Sequence, residues 1–252
     1  MRIVSWNVAG RRTRLPEQAE AVLSVAPDVV CLQEVTMNSL PEWRAALADA
    51  GFDGGVTPLD DGRPPKPRRL AVLTAAREPL ERIPLPDDLP WPERAVAVDL
   101  HGAVLLNVHS PISPSPDLAK VLTHEALYAW ARELDRAILV GDLNTPRRTL
   151  PDGSVLTFAH DTKGRVREER GERWVAAERA LVHTLRDRHG WEDAFLELNE
   201  RTWTYPGNKG GWRLDHGLVK DVDVIAKVYA HEWRLSGLSD HSAVIVDVAM
   251  DR

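Results

Sequence analysis

Short apolar runs rich in β-branched residues recur along the whole chain and constrain its fold more than any other feature. They are Ile3–Val8, Val29–Leu32, Leu70–Thr74, Ala95–Leu100, Ala103–Val108, Ala137–Val140, Leu214–Val219, Val222–Val228 and Ala243–Val248. Each has the length of a strand and turn residues close by. Helices are predicted over Arg14–Val25, with Leu15, Ala19, Val22 and Leu23 apolar, and over Leu40–Ala50 behind a cap at Asn38 or Ser39. Longer ones are predicted over Ser115–Leu134 and Val175–His189. Strands outnumber helices, and many are joined by tight turns rather than by helices. That predicts an α+β chain in which two mixed sheets pack together with helices outside.

The 252 residues suit one large domain or two small ones. No linker is long or flexible enough to force a boundary, so one domain over 1–252 is expected. The single cysteine, Cys31, lies in an apolar run and reads as a small buried hydrophobe, so no disulfide within the chain is possible. No signal-peptide pattern and no apolar run of membrane-spanning length occur, and a cytoplasmic, monomeric protein is expected. The net charge of −6 does not favour binding nucleic acid by bulk charge, although an acidic whole can carry a basic cleft.

Two segments read as loops: the proline-rich, basic Asp60–Arg69, and Pro146–Arg173, which has seven Lys/Arg, including Arg147, against five acids. Both read either as solvated surface or as the border of a site for an anionic substrate. The segment Thr202–Lys209 carries Trp203, Tyr205 and Lys209, and Trp212-Arg213 follows. Aromatics beside cations suit base stacking and equally suit a hydrophobic lid.

Polar clusters stand at the ends of the apolar runs. Glu34 closes a largely apolar stretch, where a carboxylate is costly unless paired or bound to a cation. Hard cations such as Mg²⁺ take oxygen ligands, and Asn7, Glu34 and Asp240 offer two carboxylates and an amide. His109 ends a strand and can donate to phosphate or move a proton near neutral pH. Gly141-Asp142-Leu143-Asn144 puts Asp142 and Asn144 on one face if extended, beside a glycine that permits close backbone approach. Asp215 lies at a strand edge, placed either to orient His241 or to pair with Arg213 or Lys220. Asp240-His241 sets an acid beside a base in one short loop.

The order of Ser5-Trp6-Asn7, Leu32-Gln33-Glu34, Asn107-Val108-His109, Gly141-Asp142-Leu143-Asn144, Arg213-Leu214-Asp215 and Ser239-Asp240-His241 resembles the endonuclease/exonuclease/phosphatase superfamily, of which deoxyribonuclease I and exonuclease III are members. The resemblance runs from residue 5 to residue 242. It implies a four-layer α/β/β/α sandwich and a Mg²⁺-dependent hydrolase of phosphate esters, with Mn²⁺ as a substitute. It further implies Glu34, Asn7 and Asp240 at the metal, and His241 as general base oriented by Asp215. Asp142 and Asn144 would position water and phosphate, and His109 would meet the scissile phosphate and protonate the leaving group. Arg147, Lys209, Arg213 and Trp203 are the expected substrate contacts. The chain departs from the family pattern in two places: the strand at 70–74 brings no acidic partner for His109, and His216 replaces the aromatic that often follows the strand aspartate. A nuclease acting on DNA or RNA is the first expectation. A phosphatase or phosphodiesterase for small or lipid phosphates is the alternative, and a non-catalytic binding module on the same fold the third reading.

Overall fold

The structure is a computed structural model that describes residues 1–62, 70–146, 148–150, 154–196, 204–207 and 210–250. In chain order its strands are β1 (Arg2–Asn7), β2 (Val29–Val35), β3 (Ala71–Ala76), β4 (Arg82–Ile83), β5 (Ala95–Leu100), β6 (Ala103–His109), β7 (Ala137–Asp142), β8 (Arg148–Thr149), β9 (Val155–Leu156), β10 (Glu192–Asp193), β11 (Tyr205–Gly207), β12 (Gly210–Trp212), β13 (Asp215–Lys220), β14 (Val224–Ala230) and β15 (Ala243–Val248). The α-helices are α1 (Leu15–Ser24), α2 (Leu40–Asp49), α3 (Ala119–Ala131), α4 (Gly171–Arg179), α5 (Leu185–His189) and α6 (His231–Leu235), with a π turn (Ala180–Thr184) joining α4 to α5. One sheet runs β14-β15-β1-β2-β3 and the other β10-β13-β7-β6-β5-β4. Parallel pairs (β1 with β2, β6 with β7) stand among antiparallel ones, so both sheets are mixed.

Strand alternation builds the layers. In β1, Val4 and Trp6 face outward into a core shared with Leu15, Val22, Trp43 and Trp233 of the helices, while Ile3 faces the second sheet. In β6 and β7, Leu106 and Leu139 meet Leu127 of α3 and Leu185 of α5, while Leu105, Ile138 and Val140 face the first sheet. The result is the α/β/β/α sandwich, with an apolar layer between two sheets and a helical layer on each side.

That inner layer changes character along its length. At one end it is apolar: Ile3, Val29, Ala76, Ala103, Ile138 and Val246. The same inward parity then continues into Ser5 and Asn7, Gln33, Thr74, Asn107 and His109, Asp142 and Asp215, all buried. In the middle, Gln33 Nε2 donates to Asn107 Oδ1 at 2.8 Å and to Ser5 Oγ at 3.0 Å, and Asn107 Nδ2 donates to Thr74 Oγ1 at 3.1 Å. These bonds tie one sheet to the other, and only Gln33 Oε1 of this group is left without a partner among the described residues. Beyond them the charged residues gather.

Candidate active site

Register sets the first row of the site. His109 on β6 is level with Asp142 on β7, and Asp142 is level with Asp215 on β13. Adjacent strands thus deliver an imidazole and two carboxylates to one edge of the inner layer. The approach of β6 to β7 there requires Gly141. Its φ is +137°, and a Cβ at this position would stand 2.0 Å from the Val108 carbonyl oxygen.

The facing sheet supplies Asn7 and Glu34. Glu34 follows Gln33, so simple alternation would aim it into the outer helical layer. Instead the pairing of β2 with β3 slips between Leu32 and Val35, and Glu34 takes φ +61°. This bulge turns its carboxylate to within 3.6 Å of His109 Nε2. Asn7 turns its amide nitrogen, not its oxygen, toward the acids: Nδ2 donates to Asp142 Oδ2 at 3.0 Å and to Glu34 Oε1 at 3.3 Å. Its Oδ1 is taken by the Ala9 amide at 2.9 Å. Asn7 therefore bridges the carboxylates in this arrangement, where an oxygen ligand was expected.

The loop before β15 closes the site. Ser239 Oγ donates to the Asn7 carbonyl at 2.6 Å, and Trp6 Nε1 donates to the His241 carbonyl at 2.9 Å. His241 Nδ1 then lies 2.9 Å from Asp215 Oδ2, while its Nε2 is 3.8 Å from Asp142 Oδ2. Because a carboxylate only accepts, Nδ1 carries the hydrogen. Asp215 is the orienting acid of His241, and Arg213 pairs elsewhere. Thr204 locks the two segments together: its Oγ1 accepts the Asp215 amide at 3.1 Å and its carbonyl accepts the Ser242 amide at 2.8 Å.

Asn144 departs from the extended geometry expected. The strand ends at Asp142 and Asn144 takes φ +51°. Its backbone amide donates to Asp142 Oδ1 at 2.9 Å and its Nδ2 to the Ser110 carbonyl at 2.9 Å. Asn144 thus fixes the rotamer of Asp142 through a local turn.

Crowding of acids in a buried place dictates the charges. Burial raises the Asp142 carboxyl to about 7, against the pull of His241, and Asp215 pushes it the same way. Burial also raises Glu34. For His241 burial opposes the charge, but Asp215 and Asp142 override it and lift the imidazole to about 10. Burial, Arg94 and His241 hold His109 well below the ordinary imidazole range, so it is neutral. Its Nδ1 is buried without a hydrogen-bond partner among the described residues.

Buried acids that resist their own charge are a place for a cation. Asp142, Asp215 and His241 offer ligand atoms within 4.8 Å of one another, a set able to hold a metal ion. Within it the Asp215–His241 bond is already complete. The orphaned oxygen lies next door: Asp240 Oδ1 is buried with no partner among the described residues. Together with the elevated Glu34 carboxyl, it makes an oxygen-rich donor set that fits a hard divalent ion.

Two side chains of the site carry no motif and were missed. Arg94, at the start of β5, is 8% exposed, stands over the Trp91 ring at 4.6 Å, and has a buried Nε without a partner among the described residues. Its charge acts on Glu34 and Asp142. Tyr205 was expected only as part of an aromatic loop, yet its ring lies 4.8 Å from that of His241 and 5.9 Å from that of Trp212, which in turn meets Phe158 edge-on at 5.0 Å. Of the expected substrate contacts, Arg147, Lys209 and Trp203 lie outside the described residues. Arg213 is engaged: it donates to both oxygens of Asp193, at 2.5 and 2.8 Å, and to the Tyr229 hydroxyl at 2.8 Å. It ties β10 to the start of β13 and is no longer read as a substrate contact. His216 is buried against the Thr145 carbonyl, away from the carboxylates. The arginines of the 161–173 segment are also paired, Arg165 with Asp161 and Arg173 with Glu125.

A family pattern matches residues 4–241 of the chain: the Endonuclease/Exonuclease/phosphatase family. The chain belongs to that family. Its reaction class is accordingly the hydrolysis of phosphate esters. No curated protein matches it in sequence. Among solved structures it is similar to an AP endonuclease from Archaeoglobus fulgidus, at 21% identity over 100% of both chains with a TM-score of 0.73. It is also similar to the 3′ phosphatase NExo from Neisseria bound to a product DNA hairpin, at 21% identity over 99% of both chains with a TM-score of 0.70. A humanized D. rerio TDP2 is 15% identical over 99% of both chains, with a TM-score of 0.64. At these identities the likeness shows the fold. No helix among the described residues is long and apolar enough to cross a membrane.

Proposed function

We propose that the chain is a divalent-metal-dependent phosphodiesterase acting on nucleic acid. The observation that carries the reading is the pairing of Asp215 with His241 Nδ1, which leaves His241 Nε2 and Asp142 Oδ2 3.8 Å apart, too far for a direct bond but close enough for both to reach one reacting group set to the side of them. Glu34 and Asp240 would hold Mg²⁺ or Mn²⁺, which when bound supplies Lewis-acid polarisation of the phosphoryl oxygen. A protonated Asp142 carboxyl no longer helps hold a second proton on His241. Nε2 is then free to take a proton from the attacking water as the new P–O bond forms. Arg94, buried, with no partner for its Nε among the described residues and with its charge acting on Glu34 and Asp142, would offer a donor to the phosphate charge as it develops. His109 enters neutral and donates a hydrogen bond to phosphate. The proton for the leaving oxygen is reassigned from His109 to Asp142, whose carboxyl sits at about 7 and lies 3.9 Å from His109 Nε2. Tyr205 and Trp212 form an aromatic wall against which a base can lie.

One observation favours the other reading, a small phosphate ester as substrate: Arg165 and Arg173 are engaged with neighbouring acids, which leaves less free charge to follow a polymer backbone. The deciding experiment assays purified protein with Mg²⁺, Mn²⁺ or EDTA against plasmid, single-stranded DNA, abasic duplex, RNA, inositol phosphates and sphingomyelin. Asp142→Ala and His241→Ala serve as controls. Cleavage of nucleic acid that EDTA and both variants abolish is the expected result. Activity that survives EDTA or both substitutions would sink the mechanism, and turnover of only the lipid or inositol substrates would replace the nuclease reading.

A further inference from the structure

The turn that carries Asn144 is held from behind by two residues that never reach the reacting atoms. Lys120 on α3 is 1% exposed, and its Nζ donates to the Asn144 carbonyl at 2.6 Å. The same ammonium pairs with Glu178 of α4 at 2.5 Å, and Glu178 is itself 0% exposed. His216 on β13 is fully buried, and its Nε2 lies 2.7 Å from the Thr145 carbonyl. A carbonyl only accepts, so Nε2 carries the hydrogen and His216 is the donor. Two consecutive carbonyls of one turn are thus gripped, one by a residue of a helix and one by a residue of a strand.

A grip of this kind answers a mechanical need. Asn144 sits at φ +51°, a region that a side-chain-bearing residue leaves readily unless its surroundings over-determine it. Its amide sets the Asp142 rotamer and its side chain is tied to the Ser110 carbonyl. Any relaxation of the turn therefore moves the Asp142 carboxylate. The Lys120–Glu178 pair is also a poor choice if stability alone were served. Two buried charges lose their hydration, and an apolar pair of similar volume packs as well or better. What the ammonium adds, and no apolar residue can, is a charged donor to the Asn144 carbonyl. His216 adds the matching donor to the next carbonyl, at a position where an apolar aromatic ring would offer none.

We propose that Lys120 and His216 are positioning residues that clamp the Asn144–Thr145 turn and thereby set the place of Asp142 in the reaction. The inference rests on the phosphoesterase reading of the site. The test uses the full chain in two variants. In Lys120→Met/Glu178→Gln the buried charges leave together, so no unpaired ion remains; the Gln oxygen can still accept the Ala159 amide and its NH2 can donate to Ser113 Oγ, the two partners Glu178 now satisfies with its two oxygens. In His216→Phe only the donor to Thr145 is lost. Each variant is expected to lower kcat about 10- to 100-fold with KM within about twofold of the wild type, the scale of a sub-ångström displacement of a reacting group. The same changes made in an Asn144→Ala background are expected to cost less than about twofold more, because the turn is already released. Hydrogen exchange at Leu143, Asn144 and Thr145 reads the clamp without any turnover, and loss of protection there is expected in both variants. Wild-type kcat in both variants, unchanged exchange, or a full additive loss in the Asn144→Ala background would overturn the clamp. A wild-type protein that cleaves no phosphate ester would instead remove the phosphoesterase reading, and the exchange experiment would still decide whether the turn is clamped.

Discussion

The Asp215 carboxylate receives His241 Nδ1–H at 2.9 Å and, with Asp142, lifts the imidazole to about 10 against the cost of burial. Replacing that carboxylate with an amide keeps the shape and removes the charge. Asp215→Asn is expected to lower kcat by about 10⁴-fold, since the ring is then free to adopt the wrong tautomer. The His241 titration midpoint, followed by NMR in the metal-free protein, should fall in the same variant. A kcat within tenfold of the wild type, or an unmoved midpoint, would show that Asp215 does not govern His241. Residues of this kind were legible because each stands at the end of an apolar run in a recognisable order. Arg94 was not, since a lone arginine ahead of a strand looks like any surface arginine until folding buries it. Glu34 was read as a site residue from its motif, yet alternation alone would have aimed it at the helices. Only the bulge at φ +61° explains how it reaches the inner layer.

At the scale of elements, the apolar runs located the principal strands because continuous apolar, β-branched stretches report burial on both faces. Strands of two or three residues, such as Arg82–Ile83 and Glu192–Asp193, are too short to carry a period. The helix expected over Ser115–Leu134 contracts to Ala119–Ala131, because Asp117 and Leu118 take φ near +55° and break the run before it starts. The contact of β6 with β7 leads to a sharp expectation. Gly141→Ala would drive a Cβ into the Val108 carbonyl, so the strands must part, and we expect a loss of about 4 kcal/mol or more in denaturant melts. A loss below about 1 kcal/mol would mean that the strands separate freely. The Asp193–Arg213 tie between β10 and β13 gives a second, with a pH signature. Burial alone would raise the Asp193 carboxyl, but Arg213 overrides it and holds it at about 2. A depressed carboxyl adds stability above its unfolded value near 4 and loses it as the pH falls through about 2. Arg213→Met strands the Asp193 charge in the interior, at a cost of about 3–5 kcal/mol at pH 7. Asp193 escapes that cost by taking a proton, so the difference from wild type should narrow between pH 7 and pH 4. An equal difference at both pH values would show that the pair is not what Arg213 contributes.

For the molecule as a whole, the sandwich concentrates its unfavourable charge at one end of the inner layer, between two sheets that are elsewhere apolar or internally bonded. Burial strains this end of the layer: it holds the Asp142 carboxyl at about 7 and raises Glu34, and Asp240 Oδ1 has no partner among the described residues. A cation bound there relieves the strain only in the folded chain, because unfolding scatters its ligands over residues 34–240. Binding to the native state alone stabilises by mass action, about 2.7 kcal/mol at a hundredfold excess over Kd. Mg²⁺ or Mn²⁺ should therefore raise Tm in proportion to the logarithm of its concentration, and Ca²⁺-free, EDTA-treated protein should show the lowest value. Protons compete with the ion at this end of the layer, on Glu34, whose carboxyl burial raises, and on its neighbour Asp142. Below about pH 7 Asp142 binds a proton and the rise in Tm should shrink, while above it the rise should reach its full size. In Glu34→Gln the metal-dependent rise should largely vanish at every pH, whereas the metal-free Tm should hold or increase, since one buried charge has left the cluster. A Tm indifferent to divalent ions, or a rise that persists undiminished in Glu34→Gln, would place the cation elsewhere and separate the acid cluster from metal binding.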